Sequence, residues 1–325
     1  MRIEGGGSVK EWGPEDEGPH TIGGHEFWQE SVVLVWWDLD NSVGGVHRIG
    51  HEPNAKDGPQ ISLWNHAFSP EWIYKRAVTL PLREADRPEN GFNGGDDTCK
   101  FTYTDHGVWT FDDEDLEGEL HIADAHTPVD IYPKSGGSLS DDFAPNHMEV
   151  GGKCTGKLRI KDKTYEINGL AFRDHGWGIR KWDAIVSHRW VAGTFDDGTT
   201  LLAVSFHGAD DQLAKFGCVL RGDTLTYTRD LDILTYMEVD GLTHRGGTVR
   251  MTLPTGEVLD MICEPLQKGA VSWIHGISCV DTMCKITLGD RVGICDFETT
   301  NNALRGGHRP LVAVNGIEED GLHRG

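Results

Sequence analysis

Hydrophobic and polar positions alternate with a period of two over much of the chain, a pattern typical of β-strands. The clearest unit is a hairpin in which residues 189–195 and 199–207 flank the turn Asp196-Asp197-Gly198. Aspartate followed by glycine between β-rich segments supplies the positive φ angles of a tight turn. The same arrangement recurs over residues 216–229, 248–263 and 285–298. The pattern therefore predicts a succession of antiparallel hairpins.

The spacing of apolar residues predicts few helices, because no segment keeps the i, i+3, i+4, i+7 spacing for three turns. Short helical pieces are predicted only near residues 70–74 and 179–184. The polar, glycine- and proline-rich tract 133–145 (PKSGGSLSDDFAP) predicts an internal boundary. We therefore expect an all-β protein with a loose arm over residues 1–20 and two β units over 21–145 and 146–325. Each unit is expected to be an antiparallel barrel or half-barrel, and the two are expected to pack together.

The charge balance limits the classes of partner. The 325 residues include 30 Lys and Arg against 52 Asp and Glu, a net charge of −22. Such a charge repels phosphate backbones and anionic lipid, so neither nucleic acid nor stable membrane insertion is expected. The sequence has no apolar run of about 18 residues and no signal-peptide pattern at its start. Seven scattered cysteines without a CxxC pair predict free thiols in a cytoplasmic protein.

Residues 172–190 (FRDHGWGIRKWDAIVSHRW) form the densest cluster of chemically active side chains. Asp174 and His175 are adjacent there, and we expect both on a loop at the end of a strand. A carboxylate beside an imidazole is a common general acid–base arrangement, and nearby indoles stabilise positive charge. The same residues also fit a buried ion-pair network in which Arg173 or Arg180 pairs with Asp174. The sequence leaves both interpretations open.

The segment GLAFRDHGWGIRKW (residues 169–182) resembles the D-H-x-W-G-x-R signature of a family of double-lipocalin-like proteins. That family includes carotenoid 1,2-hydratase and the fungal kievitone hydratase, and tocopherol cyclase is a more distant likeness. Residues 28–54 are similar to the opening of the family, and Asp296-Phe297-Glu298 is similar to its closing strand. The resemblance implies two lipocalin-like units. Asp174, His175 and Trp177 match the central motif.

The resemblance also implies acid–base chemistry on a hydrophobic small molecule without a cofactor. The leading expectation is a hydro-lyase (hydratase or dehydratase) that acts on an isoprenoid-like or prenylated aromatic compound. An isomerase or cyclase that protonates an alkene in the same cavity is the second expectation, and a non-catalytic binder of lipophilic ligands is the third. Because alkene hydration passes through a cation, the site needs an acid, an apolar pocket and aromatic faces.

In this hypothesis Asp174 donates the proton, and His175 orients it or activates the water. Further residues of the central cluster are expected to line the substrate pocket, namely Trp177, Arg180, Trp182, His188 and Trp190. A second cluster, in the N-terminal part, is expected to contribute Glu30, Arg48, Trp64 and His66. Glu30 and Arg48 lie on neighbouring strands of a predicted hairpin, so they are expected either to form a cross-strand salt bridge or to line the same cavity.

No metal or nucleotide site is predicted. The 16 histidines include no HxH or HExxH pattern, although antiparallel strands could bring distant histidines together. No phosphate-binding glycine motif and no nucleophile elbow occur either. A homodimer is compatible with the sequence.

Overall fold

The computed structural model describes residues 1–5, 9–132, 138–143, 145–210, 212–302, 317–319 and 322–323. Within these residues the protein is nearly all β, which confirms the predicted fold class. Helices are short: four single 3-10 turns at Pro14–Asp16, Glu84–Asp86, Pro88–Asn90 and Trp182–Ala184, and one π-helix at Ser138–Phe143.

The strands are numbered here in chain order. The first thirteen are β1 Arg2–Glu4, β2 Lys10–Glu11, β3 Trp28–Asp38, β4 Val43–Glu52, β5 Gln60–Phe68, β6 Ile73–Pro81, β7 Phe92–Asn93, β8 Cys99–Tyr103, β9 Gly107–Asp113, β10 Leu116–Asp124, β11 Val129–Asp130, β12 Asn146–Ile160 and β13 Lys163–Ile179. The others are β14 Ile185–Phe195, β15 Thr200–Gly208, β16 Leu213–Arg221, β17 Thr224–Tyr227, β18 Asp230–Met237, β19 His244–Thr252, β20 Val258–Pro265, β21 Ala270–Ile274, β22 Ile277–Asp281, β23 Met283–Leu288, β24 Arg291–Asn301, β25 Ile317–Glu319 and β26 Leu322–His323.

The chain divides into two compact units. The N-terminal unit comprises Lys10–Tyr132 and Ala144–Arg180. Its curled sheet has the order β6-β5-β4-β3-β13-β12-β10-β9-β8-β7, and β11 and β2 join at β12. All of these pairings are antiparallel. The two longest strands, β12 and β13, form its central hairpin.

The C-terminal unit comprises Met1–Val9, Pro133–Phe143 and Lys181–Gly325. Its sheet has the order β1-β17-β16-β15-β14-β24-β23-β20-β19-β18-β25-β26, and the hairpin β21–β22 joins at β24. The predicted hairpin around Asp197-Gly198 is confirmed as β14 and β15. Gly198 has a φ of +80°, as the tight turn requires.

The predicted division at residues 145 and 146 does not match the sheets. β12 and β13 follow the polar tract but pair with β10 and β3, so the DHxWG motif lies in the N-terminal unit. The polar tract does coincide with a change of unit, because Pro133–Phe143 belongs to the C-terminal unit. Composition could not show that the chain then returns to the sheet of the N-terminal unit. Of that tract, residues 133–137 and 144 lie outside the described residues.

The first twenty residues are more ordered than the loose arm expected from their composition. β1 pairs in parallel with β17, and β2 pairs with β11. Trp12 and Glu17 are both buried, because Trp12 packs edge-on against Trp177 and Glu17 forms an ion pair with Arg173. A buried indole and a buried ion pair therefore fix this segment, of which residues 6–8 lie outside the described residues.

Alternation along the strands gives each sheet two different faces. In the N-terminal unit, Val32, Leu34 and Trp36 of β3 belong to the buried apolar core. In the C-terminal unit, Val191 and Phe297 belong to the corresponding core. Buried polar and charged side chains lie on the opposite faces and also beside the core residues, as Glu30 and His175 do in the N-terminal unit.

Two smaller expectations are also resolved. Of the predicted helical pieces, only 179–184 contains a helical turn, while β6 begins at Ile73. All seven cysteines are buried free thiols, as predicted. In the described part of the chain, no helix has the length and apolar character needed to cross a membrane.

Candidate active site

Asp174 and His175 do not form the couple that their adjacency suggests. Both lie inside β13, which pairs with β12 on one side and β3 on the other, and not on a loop at a strand end. Consecutive residues of a strand point to opposite faces of the sheet. His175 therefore shares the core face with Val32, while Asp174 shares the opposite face with Glu149.

The carboxylate partner of His175 is Glu30, from the neighbouring strand β3. Nε2 of His175 lies 2.9 Å from Oε1 of Glu30, and both side chains are fully buried. Nδ1 of His20 lies 2.7 Å from the same oxygen, and the backbone N–H of His20 donates to both carboxylate oxygens. Burial alone would raise the pKa of Glu30, but the hydrogen bonds from His175 and His20 hold this pKa below its usual value.

Trp177 and Arg173 lie on the same face of the sheet as this group. Trp177 stacks on the ring of His20 with the ring centroids 3.6 Å apart. Arg173 lies on the same face and donates to Glu17 and to Asp124, with its closest nitrogen–oxygen distances at 2.6 and 2.5 Å. Arg173 therefore takes part in a buried ion-pair network with Glu17 and Asp124, while its neighbour Asp174 points to the opposite face of the sheet. Arg180 follows β13, and its backbone N–H donates to the carbonyl of Phe27.

Asp174 lies beside a second histidine–carboxylate pair. Nδ1 of His147 is 2.9 Å from Oε1 of Glu149, and both side chains are buried. Donor atoms of His147, Glu149 and Asp174 all lie within 4.8 Å of one another. Gly176 allows this approach, since a Cβ at that position would lie 2.8 Å from Cδ2 of His147.

The expected pair between Glu30 and Arg48 is not formed. Glu30 is in register with His51 and Arg48 with Val33, so the two side chains point to opposite faces. Arg48 donates to Oγ of Ser62 at 2.6 Å and lies 4.7 Å from the ring centroid of Trp64. Arg48 and Trp64 lie on the same face of the sheet as Asp174.

His66 is fully buried on β5. Burial lowers its pKa to about 3, so its imidazole stays neutral.

The C-terminal unit holds a third histidine–carboxylate pair, on the polar face of its sheet. His188 of β14 is in register with Thr300 of β24, next to Glu298. Nδ1 of His188 lies 3.3 Å from Oε1 of Glu298, and the hydroxyl of Thr300 donates to the same oxygen at 2.5 Å. Burial opposes ionisation of Glu298, but these hydrogen bonds hold its pKa below the usual value.

Aromatic rings surround His188. The ring of Phe206 lies 5.8 Å from the imidazole and that of Phe143 lies 6.1 Å away, both edge-on. Trp182 packs against Phe143, and Trp190 is buried opposite Glu298 on the neighbouring strand. Nε2 of His188 is buried and has no hydrogen-bond partner among the described residues. A buried nitrogen without a partner in an aromatic environment is unusual and often marks a functional site.

Two further carboxyl groups, those of Asp281 and Asp296, lie on the same face. Asp296 is almost completely buried, and its Oδ1 accepts the backbone N–H of Thr282 at 3.0 Å. Burial, together with the negative charges of Asp281 and Glu298, raises the pKa of Asp296 well above its usual value. Asp296 therefore holds a proton under conditions in which Glu298 is ionised. Environments that push two carboxyl pKa values apart are typical of acid–base sites.

The sequence pattern indicated some residues of this third histidine–carboxylate group. His188, Trp182 and Trp190 were expected in a pocket, and Asp296-Phe297-Glu298 was noticed as a closing strand. The role of Glu298 as partner of His188 was missed, because 110 residues separate the two in the chain. The alternation of Asp296 and Glu298 around the apolar Phe297 was the available signal.

The chain belongs to the family described as "Domain of unknown function (DUF7064)", whose model matches residues 13–303. None of the curated proteins matches the chain.

Solved structures show the same fold at low sequence identity. A protein designated AttH from Nitrosomonas europaea superposes with a TM-score of 0.62 at 14% identity, over 90% of this chain and 97% of that one. Kievitone hydratase from Nectria haematococca gives a TM-score of 0.60 at 9% identity, over 93% and 96% of the two chains. CghA gives 0.58 at 10% identity, over 87% and 90%. The fold expected from the resemblance to kievitone hydratase is thus confirmed.

Proposed function

We propose that this protein is a cofactor-independent hydro-lyase, a hydratase or dehydratase, that acts on an isoprenoid-like or prenylated aromatic compound. The observation that carries the proposal is the His188–Glu298 pair. Nδ1 of His188 faces Glu298, and the other ring nitrogen, Nε2, is buried near phenylalanine rings. The shared fold with kievitone hydratase supports the reaction class, and fold alone does not determine the reaction.

His188 can serve both proton transfers of alkene hydration. In the imidazolium form, Nε2 gives its proton to one alkene carbon, and the positive charge moves to the more substituted carbon. Water then adds to that carbon, and Nε2 takes the surplus proton from the new oxonium, which restores the imidazolium. The ionised Glu298 stabilises the charge on His188, and the rings of Phe143 and Phe206 make the surroundings of the imidazole apolar.

Asp174 is our second candidate for an acid. It keeps the role expected from the motif as a proposal, supported by the nearby His147 and Glu149. His175 is fully buried against Glu30, so we assign it a positioning role. Arg48 and Trp64, on the Asp174 face, are retained as candidates for contact with substrate.

Two other functions stay open on specific observations. An isomerase or cyclase would use the same His188–Glu298 pair to protonate an alkene, but no oxygen from water would enter its product. A binding protein without turnover is the third candidate, since a fold of this kind can hold a compound: CghA was solved with Sch210972, at a TM-score of 0.56 and 10% identity to this chain.

Substitutions at the pair test the proposal. The wild-type chain is first assayed against prenylated aromatic and isoprenoid compounds, including kievitone, to find one that is converted. We expect His188→Gln to lower kcat for that compound by about 10²- to 10⁴-fold, the usual contribution of a general acid–base group. Glu298→Gln should lower kcat as well, since the imidazolium loses its counter-charge.

His121→Gln is the control, because His121 is a half-exposed histidine of the N-terminal unit. It should keep wild-type turnover. A folded His188→Gln protein with wild-type kcat would contradict the assignment of His188. Asp174→Asn, assayed in parallel, decides between His188 and Asp174 as the acid.

A further inference from the structure

Two histidines and one glutamate from two distant parts of the chain meet in the N-terminal unit. His20 precedes β3, Glu30 lies in β3, and His175 lies in β13. Their donor atoms all lie within 4.8 Å of one another, and both imidazole nitrogens approach the same carboxylate oxygen. No sequence motif indicates this group, because 155 positions separate the two histidines.

The charge at this group is not balanced by a permanent cation. Glu30 is a completely buried carboxyl group. Among the described residues, its carboxylate contacts two imidazoles and one backbone N–H, and no lysine or arginine. Buried charges in proteins are normally paired or coordinated to a metal ion. The group therefore needs a positive charge, either a proton on an imidazole or a bound cation.

We propose that His20, Glu30 and His175 bind one divalent transition-metal ion of the zinc type. The ligands are Nδ1 of His20, Nε2 of His175 and a carboxylate oxygen of Glu30. Two imidazoles and one carboxylate suit zinc and its neighbours, whereas magnesium and calcium prefer oxygen ligands alone.

The surroundings are those of a metal centre with an entry path. The stacked ring of Trp177 fixes the orientation of His20, and Phe92 packs edge-on against His175. The side chain of His20 is 22% exposed, so an ion can reach the group from that side. The ion would connect the N-terminal segment, already fixed by Trp12 and Glu17, to β3 and β13. This site does not depend on the function proposed for His188.

Metal titration of the full chain tests the proposal. The protein is stripped with a chelator and titrated with Zn²⁺ in a calorimeter and with Co²⁺ in a spectrophotometer. We expect one ion per chain, a visible Co²⁺ spectrum typical of a site with few ligands, and a higher Tm in excess Zn²⁺. His20→Ala should weaken binding at least about 100-fold, because loss of groups that only orient a ligand already costs about 10- to 100-fold.

His106→Ala is the matched control. His106 and His121 form a half-exposed imidazole pair, with nitrogens 2.9 Å apart, that could bind metal adventitiously. The control should bind like the wild type. If the wild type binds neither ion, or if His106→Ala loses binding and His20→Ala keeps it, the proposal is wrong. His20 is partly exposed and outside the strands, so its variant should fold even where Glu30→Gln or His175→Ala does not.

Discussion

At the scale of single residues, burial has opposite consequences for two carboxyl groups of the same strand. Glu298 is surrounded by hydrogen-bond donors from His188 and Thr300 and stays ionised. Asp296, two residues earlier on the same face, has one backbone donor and two acidic neighbours and keeps its proton. The C-terminal unit thus holds an ionised and a protonated carboxyl group side by side, which is the basis for expecting proton transfer there.

Asp296→Asn tests that protonation state. The pKa of Asp296 in the folded protein lies above its pKa in the unfolded chain. Ionisation of Asp296 therefore has no effect on the free energy of unfolding below pH 4, and it destabilises the folded protein as pH rises towards the folded pKa. The penalty grows by about 1.4 kcal/mol per pH unit in that window. Asparagine keeps the acceptor for Thr282 and carries no such penalty. We therefore expect the free energy of unfolding of Asp296→Asn to rise relative to wild type between pH 4 and pH 8, measured by urea unfolding.

Asp197→Asn provides a control with the opposite sign. Burial opposes ionisation of Asp197, but the hydrogen bonds from Thr199 and Arg291 together lower its pKa, so its charge stabilises the fold above the unfolded pKa. Its variant should lose stability relative to wild type as pH rises from 3 to 7. A difference between Asp296→Asn and wild type that does not change with pH would show that Asp296 is ionised.

At the scale of elements, β13 determines the arrangement of the N-terminal unit. It pairs with β12 over most of its length and with β3 from Leu170 to Ile179, and it directs His175 and Asp174 to different faces. The close approach of β12 and β13 at Gly176 positions His147 beside Asp174. The pairing of β13 thus positions the polar groups on both faces.

Gly176→Ala tests the close packing of this strand pair. The added Cβ would lie 2.8 Å from Cδ2 of His147, a buried side chain bonded to Glu149, which cannot move without losing that bond. We expect a loss of about 1–3 kcal/mol in the free energy of unfolding, the usual cost of overpacking. Gly24→Ala, where no atom lies within 4 Å of the new Cβ, should be nearly neutral. Equal unfolding midpoints for the two variants would contradict the contact.

Local elements were predictable from the sequence, and pairing between distant ones was not. The Asp-Gly turn and the alternation around it correctly gave β14 and β15, because both signals are local. The return of β13 to β3 depends on residues about 140 positions apart, which no local pattern encodes. Adjacency in sequence suggested an Asp174–His175 couple, whereas the strand period separates them. The actual carboxylate partners, Glu30 and Glu298, come from other strands.

At the scale of the whole molecule, the fold repeats one theme in two units. Each has a large, mainly antiparallel sheet with an apolar core on one face, and buried polar groups lie both beside that core and on the opposite face. Each also carries buried histidine–carboxylate pairs, two in the N-terminal unit and one in the C-terminal unit among the described residues. The same architecture is present in kievitone hydratase and CghA, so the comparison defines the fold and leaves both the reaction and the substrate to experiment.

The transfer of oxygen from water is the measurement that tests the hydro-lyase proposal most directly. The wild-type chain is incubated in ¹⁸O-labelled water with the compound it converts, and the product is analysed by mass spectrometry. The proposal predicts one ¹⁸O atom in the hydrated product, or release of the substrate hydroxyl as water in the opposite direction, with either yield reduced by His188→Gln. Conversion to a product that has neither gained nor lost the elements of water would contradict it and favour the isomerase or cyclase.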